Sequence, residues 1–99
     1  MKKTSFYESR RSVKDYFVWR VQRVRPVVQK VEKITPIKNT VVLDLGCGYG
    51  ALSQALLEKG ASVVAADIDT KSLQAARKHL QEYKKIKITK VSKIGRAHV

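Results

Sequence analysis

The stretch Val41-Val42-Leu43-Asp44-Leu45-Gly46-Cys47-Gly48-Tyr49-Gly50 decides the fold of this chain. Its first half, Val41 to Leu45, is a short and nearly continuous apolar run, which is typical of a strand buried on both faces of a parallel sheet. Glycine then recurs at every second position. A residue without a Cβ takes backbone angles that others resist and lets a ligand approach the main chain closely. The stretch therefore predicts a buried strand that runs into a glycine turn.

A helix is expected directly after this turn. Leu52, Ala55, Leu56 and Lys59 follow at spacings of three and four, and Gly60 ends the pattern. A strand, a glycine turn and a helix N-terminus together form a nucleotide-type site, because free N–H groups and the positive end of the helix dipole point at whatever lies above the turn.

Residues 12–35 predict helix as well, but Pro26 interrupts their pattern. We expect either two helices, about 12–24 and 26–34, or one kinked helix, with Pro26 suited to the first turn of the second. This segment is expected to cover the sheet, and its opposite face is basic. Its apolar stripe consists of Val13, Phe17, Val21, Val24, Val28 and Val31.

Two further strands and one more helix are expected downstream. Residues 61–66 predict a second strand that ends at Asp67, Thr70 is suited to cap a third helix, and residues 86–91 alternate as a third strand. The order strand, helix, strand, helix, strand predicts an α/β fold, the first half of a doubly wound parallel sheet preceded by N-terminal helices. The core face of the third helix is expected to be Leu73, Ala76 and Leu80.

Composition limits the class of protein. At 99 residues with 43% hydrophobic content, the chain can form one small domain. No apolar run approaches the length of roughly 18 residues that a membrane helix needs, and the basic start lacks the apolar core of a signal peptide. The single cysteine excludes an internal disulfide and agrees with a reducing compartment. We therefore expect a cytoplasmic protein without a membrane partner, and we predict no metal site.

The net charge of +13 is unevenly distributed. Residues 1–38 carry +8, residues 39–83 carry −1 and residues 84–99 carry +6. Such basic flanks could attract nucleic acid, so a non-enzymatic nucleic-acid-binding module remains open. Lysines that solvate a surface are the simpler interpretation.

Two acidic residues limit the kinds of ligand that the glycine turn can bind. Asp67 lies 21 positions after Gly46, and in a parallel sheet its carboxylate would lie beside the turn, where it can accept both hydroxyls of a ribose. Because the pattern Gly46-x-Gly48-x-x-Ala51 satisfies the loose dinucleotide fingerprint, an NAD(P)-dependent oxidoreductase remains open. Asp44 argues against it, since this carboxylate would repel a pyrophosphate and suits a ligand with an ammonium and a sulfonium. A P-loop is excluded because no Gly-Lys-Ser/Thr is present.

These motifs resemble those of class I S-adenosylmethionine-dependent methyltransferases. The resemblance covers residues 40–82 and rests on the stretches 43–50, 64–69 (Val-Ala-Ala-Asp-Ile-Asp) and 73–77 (Leu-Gln-Ala-Ala-Arg). It implies S-adenosyl-L-methionine as cofactor and displacement at its methyl carbon. It also implies that Asp44 and the turn backbone hold the methionine end, that Asp67 takes the ribose hydroxyls and that Ile68 packs on the adenine. The implied cofactor-binding residues are Asp44, Gly46, Cys47, Gly48, Tyr49, Gly50, Asp67 and Ile68.

The sequence also predicts the roles of three further side chains, Cys47, Tyr49 and His79. Cys47 is expected to be a small buried filler and not a nucleophile, because it has no paired His or second Cys. Tyr49 is expected to line the cofactor pocket. His79, on the outer part of the third helix, is expected to be exposed and not catalytic.

The chain lacks the features that the family resemblance leads us to expect after the third strand. An acceptor-side motif and further strands are absent, so the catalytic residues are unknown, and a small molecule and RNA both remain open as methyl acceptors. Residues 94–99 (Ile-Gly-Arg-Ala-His-Val) resemble a translated sequencing adapter, so we expect a truncated gene product. The expected division is a basic helical segment at 1–38, a truncated cofactor-binding domain at 39–93 and an artefactual tail at 94–99. We expect such a chain to bind the cofactor weakly and to transfer no methyl group.

Overall fold

The computed structural model describes residues 12–92. The expected tail at 94–99 and the first eleven residues of the basic segment lie outside the described residues. The elements are α1 (Val13–Ile34), β1 (Val41–Leu45), α2 (Ala51–Glu58), β2 (Ser62–Asp67), α3 (Thr70–His79) and β3 (Ile86–Lys90). The predicted alternation of strands and helices is confirmed.

The three strands form one parallel sheet in the order β1-β2-β3. Val42 pairs with Val63, and Val63 pairs with Ile86, so these side chains share one face of the sheet. That face meets a single core cluster, to which all three helices contribute. The arrangement confirms the predicted first half of a doubly wound sheet, with α2 and α3 packed against the strands. The expectation that α1 covers the sheet is wrong, because α1 packs chiefly on α2.

The strand β1 differs from its prediction in one respect. Val41, Leu43 and Leu45, which point away from the helical layer, are 77%, 62% and 48% exposed. The expectation of a strand buried on both faces is therefore wrong for this chain. The physical reason is that the core cluster covers only the face of β1 that carries Val42 and Asp44.

Residues 13–34 form one continuous helix that contains Pro26, so the alternative of two separate helices is wrong. Ser12 begins the helix, since its hydroxyl accepts from the Asp15 amide. Proline removes one backbone hydrogen bond from the helix. The apolar stripe nevertheless continues across it, and packing of that stripe favours a single helix. The buried members of the stripe are Phe17, Val21, Val24 and Val28, whereas Val13 and Val31 at its ends are exposed.

Two ion pairs fasten α1 to the end of α2. The Arg25 guanidinium donates to both carboxylate oxygens of Glu58, at 3.0 and 2.6 Å. The Lys59 ammonium lies 3.1 Å from Glu32. Both pairs are partly exposed, so each contributes on the order of 0–1 kcal/mol. They fix the orientation of α1 across α2 more than they stabilise the domain.

The helix α3 begins one residue earlier than expected. Asp69, and not Thr70, is its N-cap, because the Asp69 carboxylate accepts from the amide and the hydroxyl of Ser72 at 3.0 and 2.6 Å. A carboxylate is a stronger acceptor than a threonine hydroxyl, which explains the shift. The predicted core face is confirmed, and Leu73, Ala76 and Leu80 are all buried.

In α2 the buried residues include Ala55 and Leu56, two of the residues whose spacing predicted the helix, and also Leu57. Leu52 is exposed at the start of the helix. Within residues 12–92, no helix has the length and apolarity needed to cross a membrane.

Candidate functional site

The glycine turn has the backbone conformation that its sequence predicted. Gly46, Gly48 and Gly50 have φ angles of +78°, +56° and +93°, a region that side chains with a Cβ disfavour. Building a Cβ at Gly46 or Gly48 meets nothing within 4 Å. The space above the first two glycines is therefore open to a ligand.

Hydrogen bonds fasten the turn to the end of β2. The amides of Gly46 and Cys47 both donate to the Ala66 carbonyl, at 2.7 and 3.0 Å. The Gly48 amide donates to Asp67 Oδ2 at 2.7 Å. These three N–H groups have protein acceptors, so the expectation that the turn offers free amides to the ligand is wrong for them. The turn contributes close approach and shape instead.

Gly50 has a different role from the other two glycines. A Cβ at this position would lie 2.8 Å from Leu80 Cδ1, which is closer than van der Waals contact allows. Gly50 also caps the N-terminus of α2 in the left-handed conformation. The missing side chain thus lets the start of α2 lie directly on the C-terminal end of α3.

Asp44 is buried beneath the turn and has a partner that the sequence analysis missed. The Ser53 hydroxyl donates to Asp44 Oδ2 at 2.7 Å, and the two side chains are 0% and 7% exposed, respectively. Burial of a polar group is costly unless the group is hydrogen-bonded, and the Ser53 hydroxyl supplies such a bond. The only signal for this pairing was a serine in the first turn of the helix that follows the strand, which is too common a feature to identify it.

A cavity of about 460 Å³ lies over the turn. Five of the residues implied by the family resemblance line it: Asp44, Gly46, Cys47, Gly48 and Tyr49. Two residues of α1, Tyr16 and Arg20, line it as well, and the sequence analysis missed both. They lie one helical turn apart on α1. Many residues around them in α1 are also polar or basic, so no pattern in the sequence marked these two as cavity residues.

The other three implied residues, Gly50, Asp67 and Ile68, do not line this cavity. Asp67 is half-buried and is held beside the turn by the Gly48 amide, and its Oδ1 accepts from the Asp69 amide at 3.1 Å. Ile68 follows at the end of β2 and is 51% exposed. Gly50 packs against α3. The structure therefore brings Asp67 to the glycine turn, as the spacing predicted, and leaves an apolar side chain beside it open to solvent.

Cys47 is buried, as predicted. Burial raises the pKa of its thiol to about 11, and the nearby carboxylates of Asp44 and Asp67 act in the same direction. The thiol is therefore protonated at neutral pH and is a poor nucleophile. No group of three or more potential metal-ligating residues occurs within the part of the chain that the structure describes.

His79 lies closer to the site than expected. Its ring is half-buried and stacks on Phe17, with ring centroids 3.9 Å apart, and its Nδ1 lies 3.2 Å from the Tyr49 carbonyl oxygen. The expectation of an exposed side chain is wrong, because the end of α3 packs directly under the glycine turn. Burial lowers the pKa of His79, and the hydrogen bond to the Tyr49 carbonyl partly opposes this shift.

Comparison with known proteins identifies a family model that matches the second half of the chain and relatives that match about half of its length. A family model described as a methyltransferase domain matches residues 42–94. The ubiquinone biosynthesis O-methyltransferase of Paracidovorax citrulli is 42% identical over 52 residues, which are 52% of this chain and 22% of the relative. The protein of that description from Actinobacillus pleuropneumoniae serotype 5b is 51% identical over 51 residues, again 52% of this chain and 22% of the relative. The chain thus spans about a fifth of the length of these curated relatives.

The fold resembles a solved structure over most of its length. A crystal structure of magnesium protoporphyrin IX methyltransferase from Synechocystis with bound SAH aligns with a TM-score of 0.66 and 27% sequence identity. The alignment covers 92% of this chain and 41% of that chain.

Proposed function

Because the chain belongs to the methyltransferase domain family, whose model matches residues 42–94, we propose that it binds S-adenosylmethionine and serves methyl transfer from this cofactor. The observation that carries the proposal is the placement of two carboxylates at the glycine turn: Asp44 lies beneath the turn and lines the cavity above it, and Asp67 is bonded to the Gly48 amide of the same turn. When bound, the cofactor supplies a methyl group activated by a sulfonium.

The cavity fits such a ligand in size and in charge. Its volume of about 460 Å³ lies within the usual range for small-molecule sites, roughly 300–1,000 Å³. Asp44 supplies a negative charge for the ammonium and sulfonium groups of the cofactor. Arg20, from α1, lines the same cavity, and its guanidinium is suited to the carboxylate of the methionyl part. A zwitterionic end group thus meets both of the charges it requires.

Asp67 is suited to the ribose. Two backbone amides, of Gly48 and Asp69, orient its carboxylate. An ionised carboxylate has about four lone-pair sites, so two remain for the hydroxyls of a sugar. Ile68, exposed beside it, offers an apolar surface for a base. The order methionyl end, ribose and base along the turn agrees with the order that the family resemblance implies.

The same geometry argues against a dinucleotide. A pyrophosphate over a glycine turn is held by free backbone amides and by the helix dipole. Here the amides of Gly46, Cys47 and Gly48 donate to Ala66 and Asp67, and the carboxylate of Asp44 lies beneath them. An anionic ligand would meet negative charge where it needs donors.

The side chains around the cavity position the reactants and exclude water. Tyr16 and Tyr49 contact each other edge to face, with ring centroids 5.7 Å apart, and both line the cavity. Aromatic rings at this place are suited to exclude water from a bound ligand, and such exclusion favours displacement at a carbon by a desolvated nucleophile. The protonated Cys47 thiol does not compete with the acceptor as a nucleophile.

We further propose that the acceptor is a hydroxyl oxygen of a small molecule, and that the protein acts in the cytoplasm. Support for the acceptor comes from the two relatives described above, whose names both specify O-methyl transfer in ubiquinone biosynthesis. RNA is the less favoured acceptor, because neither of these names specifies it.

Titration calorimetry with S-adenosylhomocysteine, the product form of the cofactor, tests the binding proposal. We expect saturable binding that S-adenosylmethionine competes for. Replacing Arg20 by Met should weaken it by about tenfold, the effect of losing one charge-assisted hydrogen bond. The matched control is Arg23→Met, because the Arg23 guanidinium lies over Trp19, 4.9 Å from the ring centroid, and not in the cavity. Absence of any saturable binding would contradict the proposal.

A further inference from the structure

We propose that His79 is a positioning residue, which holds the glycine turn in its binding shape by donating a hydrogen bond from Nδ1 to the Tyr49 carbonyl. The inference rests on the proposed cofactor site but concerns a residue outside it. His79 does not line the cavity over the turn, whereas Tyr49 does.

The two halves of the turn are held by different elements. The first half, Gly46 to Gly48, is fastened to the end of β2 through Ala66 and Asp67. The second half, Tyr49 and Gly50, rests on the end of α3.

Two consecutive residues, the last residue of α3 and its C-cap, make the contacts in this second half. Leu80 fills the space beneath Gly50, and His79 reaches the Tyr49 carbonyl at 3.2 Å. Leu80 supplies only packing, so it limits how deep the turn can lie. The hydrogen bond of His79 is directional and fixes the orientation of the Tyr49 peptide group.

Stacking on α1 locks the imidazole in place. The ring lies on Phe17 with an interplanar angle of 23° and a centroid distance of 3.9 Å. Phe17 is itself buried in the core. A side chain held in this way loses little entropy when it makes its hydrogen bond, which is what a positioning role requires.

The ring contacts continue from His79 to the other wall of the cavity. The rings of Tyr49 and His79 lie 6.4 Å apart, and the Tyr49 ring meets Tyr16 edge to face at 5.7 Å. Both tyrosines line the cavity. A shift of the Tyr49 peptide group would therefore move two of the cavity walls together.

The hydrogen bond requires the tautomer in which Nδ1 carries the proton. The charged groups that act on the ring are Lys14 from α1 and Lys78 from α3, both cationic. These charges favour the neutral ring, which can still donate from Nδ1 to the carbonyl.

Two substitutions of His79 test the hydrogen-bond donor and the stacked ring separately. His79→Asn places an amide nitrogen near the Nδ1 position and removes the ring, whereas His79→Phe keeps a ring on Phe17 and removes the donor. We expect His79→Phe to weaken S-adenosylhomocysteine binding by about tenfold, and His79→Asn to retain affinity within about threefold. Thermal unfolding of both variants measures the packing contribution separately.

A second measurement needs no ligand. Hydrogen exchange of the Gly50 amide, which donates to the Cys47 carbonyl at 3.0 Å, reports on the turn in the free chain. We expect His79→Phe to accelerate this exchange and His79→Asn to leave it near the wild-type rate.

The proposal is overturned if His79→Phe exchanges and binds like the wild type, or if both variants lose affinity in proportion to their loss of thermal stability. If the wild-type chain fails to bind S-adenosylhomocysteine, the proposed function fails, and the exchange rates alone then decide whether His79 positions the turn.

Discussion

The carboxylate of Asp67 accepts a hydrogen bond from the Gly48 amide at 2.7 Å, across 19 positions of the chain. This bond joins the glycine turn after β1 to the acid after β2. Each motif by itself is common in nucleotide-binding folds, but the bond makes them one structural unit. A substitution at either end of this bond should therefore change both the stability of the turn and its affinity for the ligand.

Replacing Asp67 by Asn tests this unit. The amide side chain keeps its shape and one acceptor but loses the charge that strengthens the bond to the Gly48 amide. We expect a loss of about 1–2 kcal/mol in the free energy of unfolding and at least about tenfold in S-adenosylhomocysteine affinity. Chemical denaturation and calorimetry measure the two effects. The control is Asp69→Ala, which removes the N-cap of α3 and should lower stability without a comparable loss of affinity.

The buried pair of Ser53 and Asp44 should be energetically coupled. Ser53→Ala leaves a buried carboxylate without its hydroxyl donor, at a cost of about 1–3 kcal/mol. In a double-mutant cycle with Asp44→Asn, the two losses should not add, and the coupling energy should be at least about 1 kcal/mol. Additive losses would show that the hydroxyl does not support the carboxylate.

The glycines of the turn should differ in their tolerance of alanine. Both Gly46→Ala and Gly50→Ala place a side chain at positive φ, which costs about 1–2 kcal/mol. Gly50→Ala also brings its Cβ against Leu80 Cδ1, so it should be the more destabilising of the two, by about 1–3 kcal/mol. Combining Gly50→Ala with Leu80→Ala should recover part of this difference. Equal losses for the two single variants would contradict the packing described for Gly50.

Pro26 lies inside a continuous helix, so removing it should stabilise the chain. Pro26→Ala restores one backbone hydrogen bond in α1 and should raise the free energy of unfolding by about 1–3 kcal/mol. Pro36→Ala, in the linker after α1, is the matched control and should not give this gain. If Pro26→Ala lowers the stability, α1 is not the uninterrupted helix described.

Stability should fall on acidification because of His79. Burial lowers the pKa of its imidazole in the folded state, so at pH values between this pKa and the ordinary value of 6.5 the unfolded chain binds the proton more readily. The contribution is present above pH 6.5 and is lost as the pH falls through the folded-state pKa. Denaturation at about pH 7.5 and about pH 5.5 should show this loss, and His79→Asn should reduce it.

Periodicity was sufficient to predict the order of the elements. The helical spacing of Leu73, Ala76 and Leu80 predicted both a helix and its core face. The apolar run of Val41 to Leu45 predicted a strand but not which of its faces is buried. The proximity of Asp67 to the turn followed from the geometry of parallel sheets. These features depend on spacing along the chain.

Features that depend on contacts between elements could not be predicted. Pro26 indicated a break by its local preference, but packing of the stripe on both sides of it overrides that preference. Arg20 reaches the cavity only because α1 crosses α2 at one particular angle, and His79 is buried only because α3 ends under the turn. No pattern of residues along the chain directly predicts the angle between two helices or the place in the fold where a helix ends.

The central claim, that the glycine turn with Asp44 and Asp67 binds S-adenosylmethionine and not a dinucleotide, is tested most directly by titrating the isotope-labelled chain and following its backbone amide resonances. With S-adenosylhomocysteine, the account predicts saturable shifts concentrated at Gly46, Gly48 and Ile68, while NAD added at the same concentrations leaves these resonances in place. Shifts at these glycines with NAD, or none with S-adenosylhomocysteine, would contradict it.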